Sequence, residues 1–179
     1  MVFQARCMQM VKNLRVIFAM TLGGLLASCA SQTKQGVSSS AVHRMSNVRT
    51  TAYSRHEEGG GHNATGSYLS GRNVMSAASD WSRFPLGTRF RLVATNEEYV
   101  IDDYGSALIG TNTIDLYKSS RLDMKRWGVR RVDIDILQWG SNAQSLKVLT
   151  PRAKHGYVRK MVVALQKKSS GRPGALELN

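Results

Sequence analysis

The strongest constraint on the fold is a series of short alternating runs, closed by turn-forming residues. They lie at 48–54, 74–78, 88–93, 99–101, 114–117 and 130–137. In the last run Val132, Ile134 and Ile136 alternate with Arg131, Asp133 and Asp135. This predicts a strand with its apolar set inward and both aspartates facing solvent. Phe90 and Leu92 alternate with Arg89 and Arg91, and Asn96-Glu97 marks a turn, so 88–102 predicts a hairpin. Six short strands without a strand–helix–strand rhythm predict an all-β fold, a small closed barrel.

One or two short helices accompany these strands. Ser120 with Asp123 forms an N-cap pair, and Gly128 supplies a stop, so a helix is expected between them. Val158, Met161, Val162 and Leu165 fall at helical spacing, which predicts a second helix packed on the barrel. Ser145 to Leu149 is expected to add an edge strand. From residue 166 on, lysines, glycine and proline predict a disordered basic tail.

The N-terminus has a different character. Lys12 and Arg15 precede the apolar run Val16 to Ala27, which is too short to span a bilayer comfortably and has the shape of a signal-peptide core. It ends in Leu26-Ala27-Ser28-Cys29, which resembles a bacterial lipobox. Small residues there suit cleavage, and the Cys29 thiol would take the lipid. Ala30 resembles the sorting pattern of outer-membrane lipoproteins. The expected organisation is a lipoprotein signal peptide at 1–28, a flexible tether at 29–47, the barrel domain at 48–150, and a short helix with a basic tail at 151–179. The only cysteines are Cys7 and Cys29, which excludes a disulfide or a thiolate zinc site from the domain.

The candidate chemistry gathers in Asp102 to Tyr117. Asp103 and Asp115 adjoin apolar strand-like runs, with glycines and small residues between them. Asp80 follows another such run. Carboxylates at strand ends beside glycine-rich turns can build an acid/base site, although aspartate also favours ordinary turns. Successive strand residues face opposite ways, so only one of Asp102 and Asp103 can face such a site. Asp102 is expected to meet solvent or a turn. His56-Glu57-Glu58-Gly59-Gly60-Gly61-His62 carries metal-ligand types, but three glycines oppose a helical metal motif, and a surface loop is expected. No metal and no cofactor are expected.

Asp103-Tyr104-Gly105-Ser106-Ala107-Leu108-Ile109-Gly110, followed by Ile114-Asp115-Leu116-Tyr117, resembles the signature of the three-aspartate (3D) domain. It is also similar to the C-terminal part of the membrane-bound lytic transglycosylase A family. Thr51-Ala52-Tyr53, Asp80 with Pro85-Leu86-Gly87, and Trp127-Gly128-Val129-Arg130 match further family segments in order. Ser106 stands where the family has glycine, Ile109 where it has lysine, and the spacer before Asp115 is longer by one residue.

The resemblance implies a double-psi β-barrel and a peptidoglycan lytic transglycosylase. Such enzymes cleave between N-acetylmuramic acid and N-acetylglucosamine and leave a 1,6-anhydro end. It implies Asp115 as catalytic acid/base, Asp103 as a neighbour tuning it by like-charge repulsion or holding substrate, and Asp80 as a third supporting carboxylate. Tyr53, Gly105 and Ser106 would line the groove. Trp81 suits the core first, and as an alternative a platform for sugar faces beside Asp80. The implied partners are glycan strands and, through Cys29, a membrane facing the periplasm. The protein is expected to be a monomer. Net charge is +13, which would suit nucleic acid, anionic lipid or an anionic polymer, and the absence of a nucleic-acid motif argues against the first. An expansin-like wall-binding module and a water-using hydrolase remain the alternatives.

Overall fold

The computed structural model of the protein describes residues 43–57 and 60–170. The signal peptide, Cys29 and most of the expected tether lie outside the described residues. Six strands are present: β1 (His43–Tyr53), β2 (Val74–Ala78), β3 (Arg89–Leu92), β4 (Glu98–Asp103), β5 (Ile114–Tyr117) and β6 (Arg130–Gln138). Three helices follow or interrupt them: α1 (Arg121–Trp127), α2 (Asn142–Leu149) and α3 (Gly156–Ser170).

The strands close into a mixed barrel in the order β1-β5-β2-β4-β3-β6. β1 pairs with β5, and β2 with β4, in parallel, while the remaining pairings are antiparallel. The β1–β2 connection therefore skips over β5, and the β4–β5 connection skips over β2. Phe90, Leu92, Tyr99, Ile101, Ile114, Leu116 and Ile134 fill the interior, the inward sets that alternation predicts. Closure pairs every strand on both sides and leaves no edge.

Several boundaries differ from the sequence expectation. β1 begins at His43, inside the expected tether, because His43 to Met45 pair with β6 across a bulge near Asn47, which adopts positive φ. Ser145 to Leu149 is not an edge strand but the end of α2. The Ser141 hydroxyl caps that helix by accepting from the Gln144 N–H, and Ser145 and Leu149 bury one face. Among the described residues there are thus three α-helices rather than one or two. α3 extends through residues 166–170, which were expected to be disordered. Its Val158, Met161, Val162 and Leu165 join the same core cluster as the barrel. Asp135 does not face open water: it is buried beneath Arg44, which donates Nε to Oδ1 at 2.8 Å and a second nitrogen to Oδ2 at 3.1 Å. Asp133 is exposed and accepts the Asn47 N–H. α1 carries the expected Ser120 cap and the Gly128 stop, the latter at φ 59°.

Candidate active site

A cleft of about 510 Å³ opens where β1, β5, β2 and the end of β4 run side by side. Strand register explains its floor. Thr51 pairs with Asp115, Asp115 with Ala78, and Ala78 with Asp103. Four side chains thus stand in one row across four neighbouring strands, and all four line the cleft. The methyl of Ala78 is the only side chain between the two carboxylates in that row. Two strand spacings separate Asp103 from Asp115, about 10 Å at Cα.

Asp115 sits mid-strand with its carboxylate in the cleft. The Thr51 hydroxyl donates to its Oδ1 at 2.6 Å. Burial pushes its pKa up to about 6, and Glu57 adds repulsion, against the opposing effects of the Thr51 bond and Arg49. Asp103 ends β4. It accepts the Tyr104 N–H on Oδ1 at 2.9 Å and the Tyr53 hydroxyl on Oδ2 at 3.4 Å. Its pKa also rises to about 6, chiefly by burial, with Asp102 as the repelling neighbour. The two carboxylates are therefore tuned by desolvation first. The like-charge partners are Asp102 and Glu57, not each other as expected from the sequence. Burial and the surrounding aspartates push the Tyr53 hydroxyl far above its ordinary value, so it stays a donor.

A β-bulge decides the roles of Asp102 and Asp103. The β2–β4 register shifts between Ala77 and Ala78, so that β4 carries one extra residue there. Asp103 is aimed into the cleft. Asp102 does not meet solvent, contrary to expectation: its Oδ2 accepts from Ser76 at 2.7 Å and from Asn63 at 2.9 Å. Its Oδ1 is buried without a partner, and burial raises its pKa.

Two expected site residues lie elsewhere. Asp80 is 3% exposed and does not line the cleft. Its Oδ1 accepts from the Ser82 N–H and hydroxyl, and its Oδ2 from the Gly110 N–H at 2.8 Å. It ties the end of β2 to the β4–β5 loop instead of facing substrate. Trp81 is 0% exposed, and its indole N–H donates to the Asp103 carbonyl at 2.8 Å. No sugar can reach it; it is core. Tyr104 packs edge-on against Trp81 at 5.1 Å and presents an aromatic ring to the cleft in its place.

Tyr53, Gly105 and Ser106 line the cleft. Gly105 begins a single 3₁₀ turn, Ser106–Leu108, which carries the wall opposite β1. Gly110 holds φ 83° as the loop returns to β5. Sequence reasoning did not assign Thr51, Arg49, Glu57, His62 or Tyr104 to the site, although all line it. Arg49, Thr51 and Tyr53 share one face of β1 by strand parity, and that parity was the available signal. Among the described residues no group of three His, Cys, Asp or Glu side chains gathers to hold a metal ion.

Two carboxyls that titrate near neutrality, in a half-buried cleft with aromatic and aliphatic walls, can give and take protons at a bound polar substrate. No protein-family model matches the chain, and no curated protein matches it significantly.

Proposed function

We propose that the cleft is the active site of a peptidoglycan lytic transglycosylase, with Asp115 as its acid/base. The observation that carries this reading is the Asp115 carboxyl: raised to about 6, held by Thr51, and set across Ala78 from a second raised carboxyl. The protonated Asp115 would donate to the glycosidic oxygen as the bond to the muramyl anomeric carbon breaks. The resulting carboxylate would take the proton of the muramyl 6-hydroxyl as that oxygen attacks the same carbon, giving the 1,6-anhydro ring without water. A pKa near the working pH suits a group that must do both. Asp103 and the Tyr53 hydroxyl would hold substrate hydroxyls and face the positive charge that develops at the anomeric carbon. Asp80 acts through the loop it pins. The Tyr104 and Leu108 walls suit the apolar faces of sugars.

The barrel itself we read as double-psi. Two parallel pairs, each reached by a connection that skips one strand, support that topology. Attachment through Cys29 would hold the domain at a membrane facing the cell wall; loss of residues 1–28 removes Arg6, Lys12 and Arg15 and leaves +10 of the net +13, which suits a wall polymer rich in carboxylates.

The test is digestion of purified sacculi by wild type and by Asp115→Asn, with mass spectrometry of the products. Anhydro-muropeptides are expected from the wild type. The amide should cut their rate of release by about two to four orders of magnitude while leaving sacculus binding intact. Reducing ends would instead indicate a hydrolase, and binding without cleavage a wall-binding module.

A further inference from the structure

Further open space adjoins the candidate cleft along β1. A second lobe of about 550 Å³ shares Arg49, Thr111 and Thr113 with it. Its far side is built by Met45, Val48, Phe84 and Arg131. Register places Arg49 directly opposite Arg131 on antiparallel β1 and β6. Like charges facing each other across strands oppose the pairing, and are normally relieved by a carboxylate between them. No acid lines this lobe, and among the described residues neither arginine joins an ion pair; Asp115, across in the cleft, acts on Arg49 only beyond ion-pair distance. Arg49 donates only to the Thr113 hydroxyl at 3.0 Å, and Arg131 only to the Asn47 carbonyl at 3.1 Å. Both guanidinium groups therefore keep free N–H donors toward the lobe. The Asn112 side chain lies beside them and accepts from Arg83.

We propose that this lobe binds the acidic peptide carried by the glycan, with Arg49 and Arg131 clamping a side-chain or terminal carboxylate. The planar fork of arginine matches a carboxylate, and two forks fix its orientation. Met45, Val48 and Phe84 provide an apolar wall for short side chains such as alanine. This assignment rests on the reading of the cleft as a glycan site: a sugar beside Asp115 would hang its peptide into a lobe one step along β1, since Arg49 and Thr51 are about 7 Å apart on the same face. The pair then gives the enzyme a preference for peptide-bearing over naked strands.

Binding, not turnover, tests the proposal. N-acetylmuramyl-L-alanyl-D-glutamate and a neutral chitooligosaccharide are titrated into the full chain and followed by NMR. The acidic probe is expected to bind at least tenfold tighter than the neutral one, with an affinity that weakens as salt rises. Arg131→Gln should erase that advantage, Arg131→Lys should restore part of it, and Lys160→Gln on α3 should leave it unchanged. Equal affinity of wild type for both probes, or an unchanged advantage in Arg131→Gln, overturns the proposal. Displacement of the probe by inorganic phosphate at concentrations where acetate has no effect also overturns the carboxylate assignment. A protein that shows the arginine-dependent preference yet releases no anhydro products would refute the lytic reading and leave this one standing.

Discussion

At Asp115 and Asp103 the same burial that raises the carboxyl pKa opposes folding with the carboxylate ionised. In the unfolded chain each carboxyl titrates near 3.8, and in the fold near 6. Between those values the folded state holds more protons than the unfolded one. Stability from these groups is therefore full below 3.8 and falls as pH rises through about 6. An amide carries no such penalty. Asp115→Asn and Asp103→Asn are each expected to be more stable than wild type at pH 7, by about 1–3 kcal/mol, with the difference vanishing near pH 4. Thermal unfolding at the two pH values measures this; a gain independent of pH would show that ionisation is not its cause. If Asp115 is the acid, as proposed, the wild-type rate should fall as pH rises above 6, where Asp115 loses its proton, and an undiminished rate at pH 8 would argue against that proposal.

At the scale of elements, the end of β2 and the β4–β5 loop form one unit. Asp80 joins them through three hydrogen bonds, and Trp81 fixes the Asp103 carbonyl from beneath. Replacing Asp80 by alanine leaves the Ser82 and Gly110 N–H groups without their partner. The expected loss is about 1–3 kcal/mol, read as a lower urea midpoint. If Asp80→Ala instead abolished activity at unchanged stability, Asp80 would belong to the chemistry after all. The bulge at Asp102 is part of this unit. It consumes one residue so that Asp103, rather than Asp102, ends in the row with Ala78 and Asp115.

For the whole molecule, α3 is not an appendage. Four of its side chains lie in the common core, each worth about 1.5–3 kcal/mol on burial. Their sum is comparable with the entire stability of an ordinary domain. A chain ending at residue 155 should therefore fail to give a cooperative unfolding transition. A truncated protein with wild-type melting would show that the barrel stands without α3. The second whole-molecule prediction concerns the proposed lipid anchor: Cys29→Ala should abolish lipid labelling and release the protein from membranes, as fractionation would show. A wild-type protein recovered unlipidated would remove the anchor.

Local chemistry made much of this legible in the sequence. Alternation set which of Phe90, Leu92, Ile134 and Ile136 face inward, since period two is a property of a single strand. The Ser120 cap and the Gly128 stop were equally readable, because their partners lie within a few residues, and the stripe of α3 because helical period is a property of the helix itself. The match around Asp103 and Asp115 named two cleft residues, and Tyr53, Gly105 and Ser106 beside them. Other features depend on partners far along the chain. Ser145 to Leu149 is short enough for strand or helix, and packing of Ser145, whose hydroxyl accepts the Leu86 N–H, goes with helix. Asp135 is covered by Arg44, ninety-one residues away. Asp80 and Trp81 turn inward because Gly110 and the Asp103 carbonyl receive them. The pairing of Arg49 with Arg131 exists only once β6 returns beside β1. Composition and period set what each segment prefers; only barrel closure decides which segments meet, because the hydrogen bonds and burial that settle these side chains come from strands distant in sequence.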